Sequence, residues 1–310
     1  MNRPAPPALE QRVRLEDGRK LGYAVFGDPS PEETIFWLHG TPGARRQIPV
    51  DARAYAEDNR LRIVGIDRPG VGWSTQHVYD NVLGFADDLR QLADDLAVER
   101  FHVVGLSGGG PYALAAGSAL PDRVKSLGIL GGVAPTVGPD AVWGGLVTLA
   151  RPIPRPLVRL VRLPAGQALS MLIRAGAPMV GLGLDAGRAV TPPGDFRTRG
   201  AADVRSMFAD DLVNGAQRQF SAVFSDVLMF TQDWGFRLSQ VTVPVRWWHG
   251  RADHIVPYRH GKHVVSRLPD AELIPLEGEA HLGALGLAVD VIGGLVPAAE
   301  LIDEVIAAED

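Results

Sequence analysis

The 310-residue chain contains no cysteine. That absence excludes a disulfide framework, a thiolate nucleophile and any cysteine-ligated metal, and it leaves the redox compartment open. Positive charge is also in short supply: 31 lysines and arginines against 36 aspartates and glutamates give a net charge of -5. Without a block of like charge there is no electrostatic footprint for a nucleic-acid backbone, and nucleic acid is not an expected partner. Nowhere do about 18 apolar residues run uninterrupted, so there is no candidate transmembrane helix. The opening stretch MNRPAPPALEQRVRLEDG lacks the apolar centre of a secretory signal. These absences lead to the expectation of a soluble, cytoplasmic protein. What is present is 46% hydrophobic residues, enough for a sizeable core in either one domain with an insertion or two domains.

Short apolar runs bounded by glycine and polar turns predict strands over Arg12–Leu15, Leu21–Phe26, Thr34–Gly40, Leu61–Gly70, Phe101–Val104, Ser126–Gly132, Val243–Gly250 and Ala271–Gly278. Between the fourth and fifth the period changes. Val82, Phe85, Ala86, Leu89, Leu92, Ala93 and Leu96 recur every three or four residues, with Asp87, Asp88, Asp94 and Asp95 between them, which predicts an amphipathic helix. A closing helix is expected over Ile292–Ala308. Strands alternating with helices imply an α/β fold with a mostly parallel sheet covered on both faces.

The rhythm breaks between residues 133 and 240, which hold many prolines and glycines, no strand-like run, and helix-sized stretches such as GQALSMLIRAG. The expected organisation is therefore a core of residues 1–132 and 241–310 with a helical insertion at 133–240. In that insertion Arg151, Arg155, Arg159 and Arg162 lie among Leu157, Val158, Leu160 and Val161. Two readings fit: a lid helix with a solvated arginine face, or a basic amphipathic surface in peripheral contact with lipid.

The chemistry concentrates in FHVVGLSGGGPYALAAG, residues 101–117. A buried strand gives way to an alanine-rich helix, and between them Gly105-Leu106-Ser107-Gly108-Gly109 forms G-x-S-x-G. In a sharp strand-to-helix turn the positions two before and two after the nucleophile approach too closely for a Cβ, and here both are glycine. Ser107 stands at a helix N-terminus, where free N–H groups favour negative charge. A phosphate-binding loop is the alternative for a glycine-rich turn, but the lysine of the nucleotide-binding pattern is missing and the serine occupies the second glycine of G-x-G-x-x-G. Earlier in the chain FWLHGTPGARR ends a strand at His39-Gly40. The backbone N–H groups of Thr41 and Gly108 are candidates for an oxyanion hole, with His39 holding the loop.

Five motifs in order, LHGTPG, DRPGVGWS, GLSGG, HGRADHIVP and EGEAHL, resemble those of the α/β-hydrolase superfamily over nearly the whole chain. The resemblance implies an eight-stranded, mostly parallel sheet with a helical cap inserted after the sixth strand. It also implies roles: Ser107 as nucleophile, His281 as the base, and Asp253 as the carboxylate that orients it. Some members carry the acid after the sixth strand, but LGGVAPT offers none. Of the other histidines, His249 sits in a strand-end His-Gly like His39, and His254 flanks the acid. His260 and His263 are at helical spacing on what is expected to be a solvated face, without a carboxylate to complete a metal site.

A serine nucleophile directs the chemistry to acyl transfer, because a serine ether formed at an sp3 carbon has no carbonyl for water to open. The expected function is a hydrolase for carboxylic esters, or for thioesters, lactones or amides, acting on a small molecule with an apolar acyl or alkyl group. No metal or organic cofactor is required. Trp143, Leu146, Leu169, Met171, Leu172, Met179, Phe208, Phe220, Phe224, Met229 and Phe230 are the candidates for cap core or pocket lining. Three alternatives stay open: an acyltransferase or perhydrolase using the same acyl-enzyme, a proline iminopeptidase-like peptidase, and a non-catalytic receptor. The peptidase would need acids in the cap, for which Asp185, Asp195, Asp210, Asp211 and Asp226 are available, each expected to be solvated.

Overall fold

The computed structural model describes residues 4–177 and 201–296. β1 (Leu9–Arg14) and β2 (Lys20–Gly27) form an antiparallel hairpin, followed by β3 (Glu33–Leu38), α1 (Val50–Asp58) and β4 (Leu61–Ile66). Then come α2 (Phe85–Asp95), β5 (Phe101–Leu106), α3 (Gly110–Ala119) and β6 (Val124–Leu130). The segment before the next strand contains α4 (Gly145–Leu149), α5 (Arg155–Ala175), α6 (Ala201–Gly215) and α7 (Ala222–Phe230). The chain returns to the sheet in β7 (Val245–Gly250), α8 (Tyr258–Val265), β8 (Ala271–Leu276) and α9 (Ala288–Leu295).

All eight predicted strands form, in the order β1-β2-β4-β3-β5-β6-β7-β8. β2 runs antiparallel to both neighbours, and from β4 to β8 every pairing is parallel. Parallel pairs need helical crossovers that cover both faces, so the central strands read as continuous apolar runs; β5 is buried along its whole length. Strand ends move by a few residues from the sequence reading. The Leu61–Gly70 run leaves the ladder at Ile66, because Asp67 and Arg68 turn into side-chain hydrogen bonds and Pro69 has no N–H to donate. β5 continues two residues past Val104 and delivers the chain directly to Ser107.

α3 is buried at every residue from Gly110 to Gly117, so its run of glycine and alanine is a packing requirement rather than a propensity effect. α2 shows the expected amphipathic stripe with one exception. Asp88, placed by its charge on the solvent side, is buried, accepting hydrogen bonds from both terminal nitrogens of Arg19 and from the Tyr79 hydroxyl. α9 begins at Ala288, before the expected start of the closing helix, and ends at Leu295; residues 297–308 of that expectation lie outside the described residues.

Candidate active site

The turn after β5 places Ser107 at φ +48°, a left-handed conformation that costs a non-glycine residue about 1–3 kcal/mol and survives only where the surroundings dictate it. They do so here through the two flanking glycines. A Cβ on Gly105 would lie 2.8 Å from the Gly109 carbonyl oxygen, and one on Gly109 would lie 2.2 Å from that of Leu38. The elbow is therefore packed against both α3 and β3 with no room for a side chain. Pro111, in the first turn of α3, gives up an N–H that the helix does not use.

The loops after β7 and β8 bring Asp253 and His281 to the serine. Ser107 Oγ lies 2.8 Å from His281 Nε2, and His281 Nδ1 lies 2.7 Å from Asp253 Oδ2. The second carboxylate oxygen, Oδ1, accepts the N–H groups of Ile255 and Val256, each at 2.8 Å. Burial pushes the Asp253 carboxyl upward, but the hydrogen bonds of His249 and His281, the His281 charge and the Val256 N–H outweigh it and hold the group well below the usual carboxylate range. Asp253 is thus a fixed anion facing His281, in a setting where low dielectric strengthens the pair.

The remaining histidines have other partners. His249 is buried, accepts the Trp247 indole N–H at 3.0 Å on Nδ1 and donates Nε2–H to the Val256 carbonyl, 3.4 Å from Asp253. It therefore buttresses the acid's loop. His39 is buried too, with Nδ1 on the Gly40 carbonyl at 2.6 Å and Nε2 accepting from the Arg68 N–H. Burial and the Arg68 charge hold it neutral, well below the ordinary imidazole value. His254 is exposed. The expected solvated face of α8 is corrected: His260 is buried against the Trp143 carbonyl and His263 bonds the Asp140 carbonyl, so both tie α8 to the chain leaving β6.

Thr41 and Gly108 share one cavity with Ser107. The loop bearing Thr41 is clasped by side chains from elsewhere. Gly40 N–H bonds Gln47, Arg45 N–H bonds Asp67, and the N–H groups of Ala44 and Arg46 bond the two oxygens of Asp211 at 2.8 and 2.9 Å. Beneath Thr41 lies a second clasp. Arg68 bonds Asp226 at 2.6 Å and Thr41 Oγ1 at 2.9 Å, and also donates to the carbonyls of His39 and Gly40. Asp226 in turn accepts the hydroxyls of Thr41 and Tyr112.

Two sequence expectations are overturned here. Asp226 and Asp211 are fully buried struts from α7 and α6, not solvated acids; Asp210 is half-buried in an ion pair with Arg46 at 3.2 Å. Asp185 and Asp195 lie outside the described residues. Sequence reasoning gave no role to Arg68 or Tyr112 and weighed Asp226 only as an amine-binding acid, not as their partner. The available signal was a lone charge in an otherwise apolar helix, AVFSDVLMF.

The cavity has a volume of about 190 Å³. Apart from Thr41, Ser107 and Gly108 its wall among the described residues is apolar: Val133, Leu146, Val147, Ala150, Val227, Phe230, Ile255 and Val256. Only Leu146 and Phe230 of the expected lining belong to it. Phe220 and Met229 are buried in the hydrophobic core, Leu169, Phe208 and Phe224 pack against it, and Trp143, Met171 and Leu172 point outward. Met179 lies outside the described residues.

Residues 33–285 match the family model of the alpha/beta hydrolase fold, and the chain belongs to that family. One relative is the 2-hydroxy-6-oxononadienedioate/2-hydroxy-6-oxononatrienedioate hydrolase of Cupriavidus pinatubonensis, 28% identical over 255 residues that make up 78% of each chain. A proline iminopeptidase of Arabidopsis thaliana is 28% identical over 131 residues, 41% of this chain and 34% of that one. Among solved structures, the esterase of Exiguobacterium antarcticum superposes with a TM-score of 0.66 at 16% identity, over 93% of this chain and 99% of its own. At that identity the likeness speaks to the fold alone.

Proposed function

We propose that the protein is a serine hydrolase that cleaves carboxylic esters with a small apolar acyl group through an acyl-serine intermediate. The observation that carries the reading is the unbroken line from Ser107 Oγ through His281 to Asp253, at 2.8 and 2.7 Å. Ser107 Oγ attacks the ester carbonyl as its proton passes to His281 Nε2. The tetrahedral oxyanion is held by the N–H groups of Thr41 and Gly108, each such donor being worth about 2.7–4 kcal/mol of barrier. On collapse the C–O bond to the alcohol breaks, and His281 returns the proton to the leaving oxygen. Water then attacks the acyl carbon with His281 as base, releasing the acid and restoring the serine hydroxyl. Asp253 stays ionised and stabilises the imidazolium.

In this reading residues 133–240 are a cap on a core formed by 1–132 and 241–310. Support comes from the helices between β6 and β7, which contribute Leu146, Val147, Val227 and Phe230 to the cavity wall. Two related activities fit the wall less well. A dioate brings two carboxylates, and the cavity wall among the described residues has no lysine or arginine. A peptidase that captures a free amine needs an acid there, and Asp226 is committed to Arg68.

The test is intact-mass analysis after a fluorophosphonate probe, followed by p-nitrophenyl esters of increasing chain length. One adduct, absent in Ser107→Ala, is expected. Rates should peak with acyl groups of roughly benzene-like volume, since an apolar cavity of about 150 Å³ holds one benzene. No adduct on the folded protein would move the non-catalytic receptor to the front; a product mixture richer in transfer than in hydrolysis would favour the acyltransferase.

A further inference from the structure

The outward face of α5 is apolar, unlike that of an ordinary surface helix. Helices of this kind turn an apolar stripe to the core and polar residues to water. α5 packs inward through Val158, Leu169, Ile173 and the small Gly166 and Ser170, yet Leu157, Leu160, Met171 and Leu172 also face outward, Leu160 at 74% exposure and Leu172 at 71%. Leu149 of α4 and Trp143 extend the same apolar surface, at 72% and 71%. Scattered single exposed leucines need no explanation, but a run of them along two successive helices marks an interaction surface.

The charge of this segment selects the partner. Residues 141–177 include Arg151, Arg155, Arg159, Arg162 and Arg174 and no aspartate or glutamate, in a chain whose net charge is -5. Arg151 lies over the Trp143 ring at 4.5 Å, a pairing of cation and amphipathic ring suited to a headgroup boundary. A second copy docked face to face would set these arginines against their own equivalents with no counter-charge from the same segment. Among the described residues no helix is long and apolar enough to cross a membrane. The geometry points to a face that lies on an anionic phospholipid bilayer, with the leucines in the acyl boundary and the arginines among the headgroups.

The position of this face bears on the active site. Leu146 and Ile255 are exposed and also line the cavity beside Ser107. If the esterase reading holds, a substrate dissolved in the bilayer reaches the serine from the docked side. Docking itself does not depend on that reading.

The experiment is vesicle flotation of the full chain as Ser107→Ala, which prevents lipid turnover. Phosphatidylcholine vesicles are compared with vesicles of phosphatidylcholine mixed with phosphatidylglycerol, at low and high salt. Binding to the mixed vesicles is expected, weakened by salt, with a loss of roughly fivefold for each of Arg159→Gln and Arg174→Gln. Leu160→Gln should release the protein while leaving hydrolysis of a water-soluble ester unchanged in the Ser107 background. That separates failure of docking from failure of the chemistry. No binding to either vesicle overturns the proposal, as does binding indifferent to Leu160→Gln. A stable dimer by light scattering that Leu160→Gln dissociates would assign the face to a second copy instead and equally overturn it.

Discussion

The helices α3 and α5 are both rich in small and aliphatic residues, yet they treat them in opposite ways. α3 follows the serine turn and is buried from Gly110 to Gly117; α5 turns Leu157, Leu160, Met171 and Leu172 away from the protein. The difference lies in what flanks each helix. α3 is threaded between β5 and β6 and must lie against the sheet. α5 stands in the segment between β6 and β7, and its apolar outer face is exposed. Apolar residues on α3 are core from Gly110 to Gly117, whereas those between β6 and β7 divide between core, as with Phe220 and Met229, and an exposed face, as with Leu160. The two regions meet at buried charges, Arg68 with Asp226 among them, and in shared hydrophobic core.

Substitutions test this division. The largest effect belongs to the sheet region: Ser107→Ala should cut turnover by about a million-fold with the protein still folded by circular dichroism, and retention of most activity would falsify the nucleophile assignment. Asp253→Asn should cost about ten thousand-fold by setting the wrong His281 tautomer; near-normal kcat would hand the role to another carboxylate. Asp226→Ala tests the joint between regions. It strands the buried Arg68, and breaking such a pair costs about 3–5 kcal/mol, to be read as a lowered urea midpoint together with reduced kcat. An unchanged midpoint would mean that the Arg68–Asp226 pair does not hold the joint, leaving it to the shared hydrophobic core.

Asp211 gives a smaller, pH-dependent effect. Burial, then the neighbouring Asp67 charge, pushes its carboxyl up to about 7. The native state keeps a proton that an unfolded chain, titrating near ~3.9, has already released. Stability from this group therefore declines as pH rises from about 4 toward 7. Asp253 has the opposite sign: its depressed value stabilises the fold above about 3.9, and that stability is lost only as strong acid protonates it. Urea melts across this range should show the neutral-side decline in the parent and lose it in Asp211→Asn; persistence of the slope would assign it elsewhere. The smallest expected change is in selectivity. Val227→Phe fills the cavity wall and should shift the chain-length optimum downward with little change in stability, whereas an unaltered profile would place the acyl group outside this cavity.

Much of the sheet region was legible in the sequence because its signals are local. Glycine-bounded apolar runs marked eight strands, and Gly105 and Gly109 marked a turn whose backbone approaches are as close as the motif requires. Asp253 and His281 came from motif order, and the structure brings both to Ser107. The segment between β6 and β7 was less legible because its signals are long-range. Asp226 and Arg68 are 158 residues apart in the chain, and a carboxylate inside a helix reads as solvated until its partner is known. The cavity wall was missed for a related reason. Aromatic and methionine side chains suggested a pocket, but Phe220 and Met229 are core, and the wall uses Val133, Val147, Ala150, Val227 and Val256. Apolar periodicity identifies buried faces without telling a core from a cavity.

Two of the acids that clasp the loop bearing Thr41, Asp211 and Asp226, come from α6 and α7, so these helices are not interchangeable with those of another protein. A chimera carrying a foreign segment between β6 and β7 would inherit Ser107, His281 and Asp253, yet lose the carboxyl groups that bond Arg68 and the N–H groups of Ala44 and Arg46. Grafts that keep acids at positions 211 and 226 are the ones compatible with this core, which makes those two positions the practical boundary between what can be exchanged to change selectivity and what must travel with the sheet.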